Sequence, residues 1–276
     1  MKQSTPTAYD ASRAASYWSG PRHESGDELA SVLSLGEPPA VNRAYDAWET
    51  GLLLDSIGDL TGARGVDIGA GVGRVSVKVA PRLRHLACAD LAPGMLLRLG
   101  ANASGAGVGN ADPVRARSDR LPFRSGTFGI VLLLGLLEHL PRPVQRATLD
   151  EAARLLRPGG FLALVLNNPS SVFLTDAADN PYRDGLQRES GYYCAVVSEP
   201  AILEDASAMF EDRLLGSNLF YSLHRHAARS LPDAARADAR LAPFFERASA
   251  WDLALRPVGP LARAAADHHL HLLVRR

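Results

Sequence analysis

Val66-Asp67-Ile68-Gly69-Ala70-Gly71-Val72-Gly73 constrains what this chain can fold into more than any other stretch. A short apolar run ends there in glycines at alternate positions. A β-strand therefore reaches a sharp turn whose N–H groups a ligand can approach without meeting a Cβ. The helix predicted next, over about Arg74 to Val79, directs its N-terminus at the same place. The dinucleotide fingerprint G-x-G-x-x-G needs its third glycine at position 74, which is Arg74; the pattern here is Asp-x-Gly-x-Gly-x-Gly.

Downstream, the pattern alternates strand and helix. A second strand, His85 to Ala89, ends in Asp90, about twenty residues beyond the glycines, where a doubly wound fold sets a carboxylate on ribose hydroxyls. The competing reading makes Asp90 a cap for the amphipathic helix that begins near Pro93. Val114 to Ala116 forms a third strand, and the loop Arg117-Ser118-Asp119-Arg120-Leu121-Pro122-Phe123 follows. Asp119 can accept from an exocyclic amine such as that of adenine, or be a solvated turn residue. Phe128 to Leu134 is nearly all apolar, as a strand buried on both faces should be. Leu136-Leu137-Glu138-His139-Leu140-Pro141 lies beyond it. A helix from Pro143 to Leu156 is stopped by Pro158-Gly159-Gly160, and Phe161 to Leu166 is a fifth strand. This rhythm predicts a parallel sheet with helices on both faces and ligands outside the strands' carboxyl ends, the edge that carries Asp67, Gly71, Asp90, Asp119 and His139.

The flanks differ in texture. Residues 1–60 spread Tyr9, Tyr17, Trp18, His23, Tyr45 and Trp48 over amphipathic pieces, with a helix predicted from Ala40 to Gly58; they read as a helical lid or as a surface helix packing its aromatics on the core. Residues 61–276 make the core domain, with cap insertions near 168–197 and 220–260. The first cap is rich in Asn, Pro, Ser and Tyr, and longer than an ordinary connection. Ser198 can cap a helix to Met209, a strand is predicted near Arg213 to Leu219, and an alternating strand spans His268 to Val274.

Thirty basic and thirty acidic residues cancel, so no net field draws the chain to nucleic acid or an anionic membrane. No apolar run reaches the length of a membrane span, and the two cysteines, Cys88 and Cys194, make no disulfide framework. These features predict a cytoplasmic protein, monomer or homodimer, acting on a small molecule.

The glycine turn, Asp90-Leu91-Ala92-Pro93-Gly94-Met95, Asp119-Arg120-Leu121-Pro122-Phe123, Leu136-Leu137-Glu138-His139-Leu140 and Leu155-Leu156-Arg157-Pro158-Gly159-Gly160, in this order and spacing, resemble the class I S-adenosylmethionine-dependent methyltransferases. The likeness covers about residues 60–167. It implies a Rossmann-like, seven-stranded, mostly parallel sheet with an antiparallel last strand, and S-adenosylmethionine lying across the strand ends. On that pattern Asp67, Gly69, Ala70, Gly71 and Gly73 hold the methionine part, with Leu134 and Gly135 near its amine. Asp90 takes the ribose hydroxyls and Asp119 faces the adenine, with Leu91, Met95, Ser118 and Arg120 as further cofactor contacts. The family often has Phe-Asp before the fourth strand; this chain has Phe128-Gly129.

A sulfonium is an activated electrophile, so the protein must chiefly orient a nucleophile and exclude water. A hydroxyl acceptor also needs a base. His139 is the first candidate, because an imidazole is suited to proton transfer near neutrality, and Glu138 is the second; His139 can also simply pack against the next helix. Tyr17, Trp18, His23, Asn168 and Phe173 are candidate substrate contacts, and the aromatics of the cap, with Tyr182, Tyr192 and Tyr193, favour an apolar or aromatic specialised metabolite. O-methylation is preferred to N or C. No metal is expected: Asn167 and Asn168 lack partner carboxylates in motif spacing, and His268, His269 and His271 read as a strand in which only the last two share a face. Two other readings stay open. One is an NAD(P)-dependent oxidoreductase, which Arg74 and the lack of a Tyr-x-x-x-Lys pair disfavour. The other is a methyltransferase-like binding subunit without chemistry.

Overall fold

Asp10 caps the first helix. Its carboxylate accepts from the N–H groups of Ser12 and Arg13 at 2.8 and 3.2 Å, and α1 (Ala11–Trp18) follows. The computed structural model describes residues 9–20, 28–34, 37–168, 171, 185–231 and 238–276. After α2 (Glu28–Val32), Pro39 opens α3 (Pro39–Ile57), where its fixed φ suits a helix and its missing N–H costs nothing. Trp48, Leu52 and Leu53 of α3 are fully buried, so this helix is an inner layer of the core.

The strand and helix alternation then appears as predicted: β1 (Leu60–Ile68), α4 (Ser76–Val79), β2 (Leu83–Asp90), α5 (Pro93–Gly105), β3 (Ala111–Arg115), β4 (Phe128–Leu133), α6 (Arg142–Leu155) and β5 (Leu156–Asn167). A two-residue pair, β6 (Leu186–Gln187) and β7 (Tyr193–Cys194), stands apart from the main sheet. The chain continues through α7 (Glu199–Ala206), β8 (Phe210–Ser217), α8 (Leu219–Arg229), α9 (Asp238–Leu255), α10 (Pro260–Ala265) and β9 (His268–Arg275). Ser198 caps α7, its Oγ accepting from the Ala201 N–H at 3.4 Å.

The sheet has seven strands in the order β3-β2-β1-β4-β5-β9-β8. β1 to β5 pair in parallel; β9 runs antiparallel to both of its neighbours. Alternation along β4 explains its unbroken apolar sequence. Ile130 and Leu132 face the layer of α3 and α9, while Val131 and Leu133 face the layer of α6 and α7. Pro113 is tolerated in β3 because that strand is at the sheet edge. β5 begins earlier than predicted: Leu156 already pairs with Phe128, and the register shifts before Phe161 pairs with Ile130, with Gly159 at φ 70° in between. Gly129, where the family often has Asp, is set by space. A Cβ there would lie 3.1 Å from that of Ala63 and 3.5 Å from the Arg157 guanidinium.

Among the described residues, no helix is long and apolar enough to cross a membrane. His23, Phe173 and Tyr182 lie outside the described residues.

Candidate active site at the strand ends

The turn after β1 is held by its neighbour. The N–H groups of Gly69 and Ala70 donate to the Ala89 carbonyl at 2.8 and 3.0 Å, and the Gly71 N–H donates to Oδ2 of Asp90 at 2.9 Å. Gly71 has φ of 55°, and a Cβ built on it would have only Val32 within reach, at 3.8 Å. Its missing side chain therefore leaves room on the cavity side. Gly73, at φ 81°, is different: a Cβ there would strike Leu99 at 2.9 Å, so this glycine lets α5 pack closely.

Asp90 does not cap α5. Its Oδ1 accepts from the Ala92 N–H at 2.8 Å while Oδ2 takes that of Gly71; with the Leu91 N–H also directed at it, the carboxylate still has acceptor capacity for a ligand. Burial pushes its carboxyl above the ordinary range, and the backbone donors offset this in part. Asp67, behind the turn, is raised to about 6 by burial, against a 2.6 Å hydrogen bond from Ser76 Oγ and the charge of Arg74. Arg74, where a dinucleotide site would have glycine, reaches back to α3. Its guanidinium donates to Asp46 Oδ1 at 2.8 Å and to Glu49 Oε2, and Glu49 also accepts from the Tyr45 hydroxyl at 3.1 Å.

A cavity of roughly 370 Å³ opens over this edge. At its far side the 3₁₀ turn Leu137–His139 presents Glu138 and His139. His139 Nδ1 is 3.0 Å from the backbone carbonyl of Tyr193. A carbonyl only accepts, so Nδ1 carries the proton and Nε2 of the neutral ring keeps its lone pair. The rings of Trp18 and Tyr192 pack around this imidazole at centroid distances of 5.0 and 5.6 Å.

Residues 66–160 match a family model described as a methyltransferase domain. A ubiquinone biosynthesis O-methyltransferase of Xanthomonas oryzae pv. oryzae is 30% identical over 176 residues, covering 62% of this chain and 72% of that protein. The chain belongs to the class I S-adenosylmethionine-dependent methyltransferases. An uncharacterised protein of Mycobacterium tuberculosis is 31% identical over 142 residues, so the alignment covers about half of each, 51%. Among solved structures, the geranyl diphosphate C-methyltransferase of Streptomyces coelicolor superposes with a TM-score of 0.59 over 98% of this chain and 100% of that one. Its 13% identity makes this a likeness of fold.

Most of the residues singled out from the sequence border this cavity. Asp67, Gly69, Ala70, Gly71, Asp90, Leu91, Met95, Ser118, Asp119, Leu134, Gly135, Glu138, His139 and Trp18 all do. Asp119 is clamped by Arg117 in a bidentate pair at 2.9 and 2.7 Å, and Ser118 Oγ is 2.9 Å from Thr148 Oγ1. Four do not reach the cavity. Gly73 is spent on α5, and Arg120 is turned away while Arg117 borders the cavity in its place. Tyr17 packs behind Trp18, 5.3 Å between ring centroids. Asn168 is buried in the scaffold, its amide donating to the Arg263 and Ala266 carbonyls at 2.7 and 2.9 Å, where it holds the end of α10.

Sequence reasoning passed over the opposite wall. Tyr45 and Glu49 of α3, Tyr221 and Arg225 of α8, and His268 of β9 also border the cavity. The helical pattern over Ala40 to Gly58 was the one available signal, and it did not say which face turns inward.

Proposed function

We propose that this methyltransferase moves the methyl group of S-adenosylmethionine to a small-molecule acceptor, with oxygen favoured over nitrogen or carbon and His139 as the base. The observation that carries the proposal is the Nδ1 contact of His139 with the Tyr193 carbonyl, which leaves Nε2 able to take a proton at the cavity. When bound, the cofactor supplies a methyl group already activated on a sulfonium. The open side of Gly71 and the remaining lone pairs of Asp90 fit such a ligand, and we assign it to the glycine turn, Asp90, Leu91, Met95, Ser118 and Asp119.

The rest falls to the chain's own side chains. His139 holds the acceptor hydroxyl and takes its proton as the oxygen gains the methyl group; Glu138, beside it, is the second candidate. Trp18, Tyr192, Leu140 and Val144 give the cavity an aromatic and aliphatic wall that excludes water and suits an apolar or aromatic specialised metabolite. α1 and α2 act as the lid on this side, through Trp18 and Val32. The O-methyltransferase name of the Xanthomonas relative supports oxygen as the accepting atom.

Calorimetry with S-adenosylmethionine, S-adenosylhomocysteine and NAD tests the cofactor, and mass spectrometry of a cell extract incubated with methyl-labelled cofactor tests the acceptor. Binding of the first two and label on a hydroxyl-bearing metabolite are expected. Tight NAD binding, or cofactor binding with no label transferred to any metabolite, would overturn the proposal.

A further inference from the structure

On the face of β9 turned away from His268 and the cavity, His269 and His271 stand side by side in a layer that is otherwise apolar. They pair in register with Leu166 and Leu164 of β5, which pack on Ile202 and Ala206 of α7. Both imidazoles are buried, at 2% and 0% exposure. Glu199, the first residue of α7, is brought over them by the Ser198 cap. Its Oε2 lies 2.7 Å from His269 Nδ1 and its Oε1 lies 3.3 Å from His271 Nε2.

In this cluster a proton and a metal ion compete for the nitrogen lone pairs that face Glu199. His271 Nδ1 is 2.9 Å from Asp212 Oδ1 of β8. The carboxylate accepts, so Nδ1 is the protonated nitrogen and Nε2 turns a lone pair toward Glu199, another acceptor. A second proton on His271 would meet Glu199 across 3.3 Å, long for a charge-assisted bond. It would still leave His269 unmet: neither of its ring nitrogens makes an aligned hydrogen bond, although Nδ1 is close to Oε2. Two ligands of one tetrahedral metal stand about 3.3 Å apart; Oε1 and His271 Nε2 already do, and Oε2 has to draw back from His269 Nδ1 by roughly half an ångström to share the ion.

We propose that Glu199, His269 and His271 form a binding site for a divalent transition metal, with Zn²⁺ the ion whose ligand preferences they match. One ligand atom from each residue lies within 4.8 Å of the others. Two imidazoles and a carboxylate are a ligand set that zinc takes tetrahedrally, with a further position for water. Asp212 is the outer carboxylate that fixes the tautomer of His271 and strengthens it as a donor to metal. With a metal bound both imidazoles are neutral, and the charge of the two carboxylates balances a dication. The Asp212 side chain is 39% exposed, which gives the ion a way in from the β8 side. None of the three ligands borders the methyl-transfer cavity. The ion's role is therefore to pin α7 onto β9 and, through Asp212, onto β8.

The test uses the untagged full-length chain, freed of metal by a chelator and titrated with Zn²⁺ by calorimetry and with Co²⁺ by visible absorption. One ion per chain and the intense visible bands of tetrahedral Co²⁺ are expected. Zn²⁺ at about a hundred times its dissociation constant should raise Tm by roughly 5 °C. Glu199→Gln, which keeps the shape of the side chain, should weaken Zn²⁺ binding at least tenfold, and Asp212→Asn about tenfold, both with circular dichroism unchanged. Absence of saturable binding overturns the site. Full affinity in both variants places the ion elsewhere and overturns it equally. A Glu199→Gln chain that loses stability when metal-free yet binds Zn²⁺ as before makes the cluster an ion pair, which also defeats the proposal.

Discussion

Asp90 and Gly71 are joined across neighbouring strand ends, Oδ2 accepting the Gly71 N–H at 2.9 Å. One carboxylate therefore orders the glycine turn and faces the cavity that the turn borders. Asp90→Ala should weaken S-adenosylhomocysteine binding at least tenfold by calorimetry, since a charge-assisted hydrogen bond is worth roughly 1.5–3 kcal/mol. Tm should fall as well, because the Gly71 and Ala92 N–H groups lose their acceptor. A loss of Tm with affinity intact would confine Asp90 to ordering the turn.

Gly71→Val places a branched side chain at φ 55° and fills the open side of the turn. The backbone cost is about 1–3 kcal/mol, and the ligand loses its approach to the main chain. Cofactor binding should be abolished or reduced by more than tenfold, with the loss of stability read from thermal melting.

The ion pairs of Arg74 with Asp46 and Glu49 are nearly dry, with side-chain exposures of 11%, 12% and 1%. Arg74→Met leaves the buried Glu49 carboxylate with only the Tyr45 hydroxyl, while Asp46 keeps Lys78, and denaturant unfolding should show a loss of about 3–5 kcal/mol. Adding Glu49→Gln to Arg74→Met should restore part of it, since the stranded charge is then gone.

Burial raises Asp67 to about 6 in the fold against about 3.9 in the unfolded chain. The folded state holds that proton more tightly, so its contribution is complete below the unfolded pKa and is lost as pH rises through about 6. Stability should decline by about 3 kcal/mol across this window from this group, and Asp67→Asn should flatten that part of the profile. An unaltered profile in the variant would assign the decline to other groups.

For His139, the ring held by the Tyr193 carbonyl predicts a loss of rate of roughly two to four orders of magnitude in His139→Ala, with cofactor affinity nearly unchanged. A loss of less than about tenfold would remove the base assignment and favour nitrogen or carbon as the accepting atom.

The central part of the fold was legible because two periodicities coincide there. Strands buried on both faces show as continuous apolar runs such as Phe128 to Leu133, and each is followed by a glycine, proline or polar break at the strand end. The glycine-turn side of the cavity was legible for the same reason: Gly71 and Asp90 sit at fixed distances after strands that can themselves be recognised. Tyr45, Arg225 and His268 lie in three elements far apart in sequence, and they converge only because β9 inserts beside β5 and α3 packs across the sheet. Asn168 misled because an Asn at a strand end suits a ligand contact and a buried scaffold amide equally well. The pairing of His269 and His271 on one face of a strand was visible. Glu199 was not, since its place over them depends on how α7 docks.

β9 enters the sheet between β5 and β8. A ribosome releases it after every other strand of that sheet, so until it emerges β5 has a bare edge and β8 has no neighbour to join. The wall formed by His268 is also missing during that interval. A nascent chain can thus fold its glycine-turn half early, yet it must be kept from sticky encounters along β5 until the final strand arrives. Synthesis that stalls upstream of His268 would leave a half-built sheet with an adhesive flank, a natural client for chaperones and proteases.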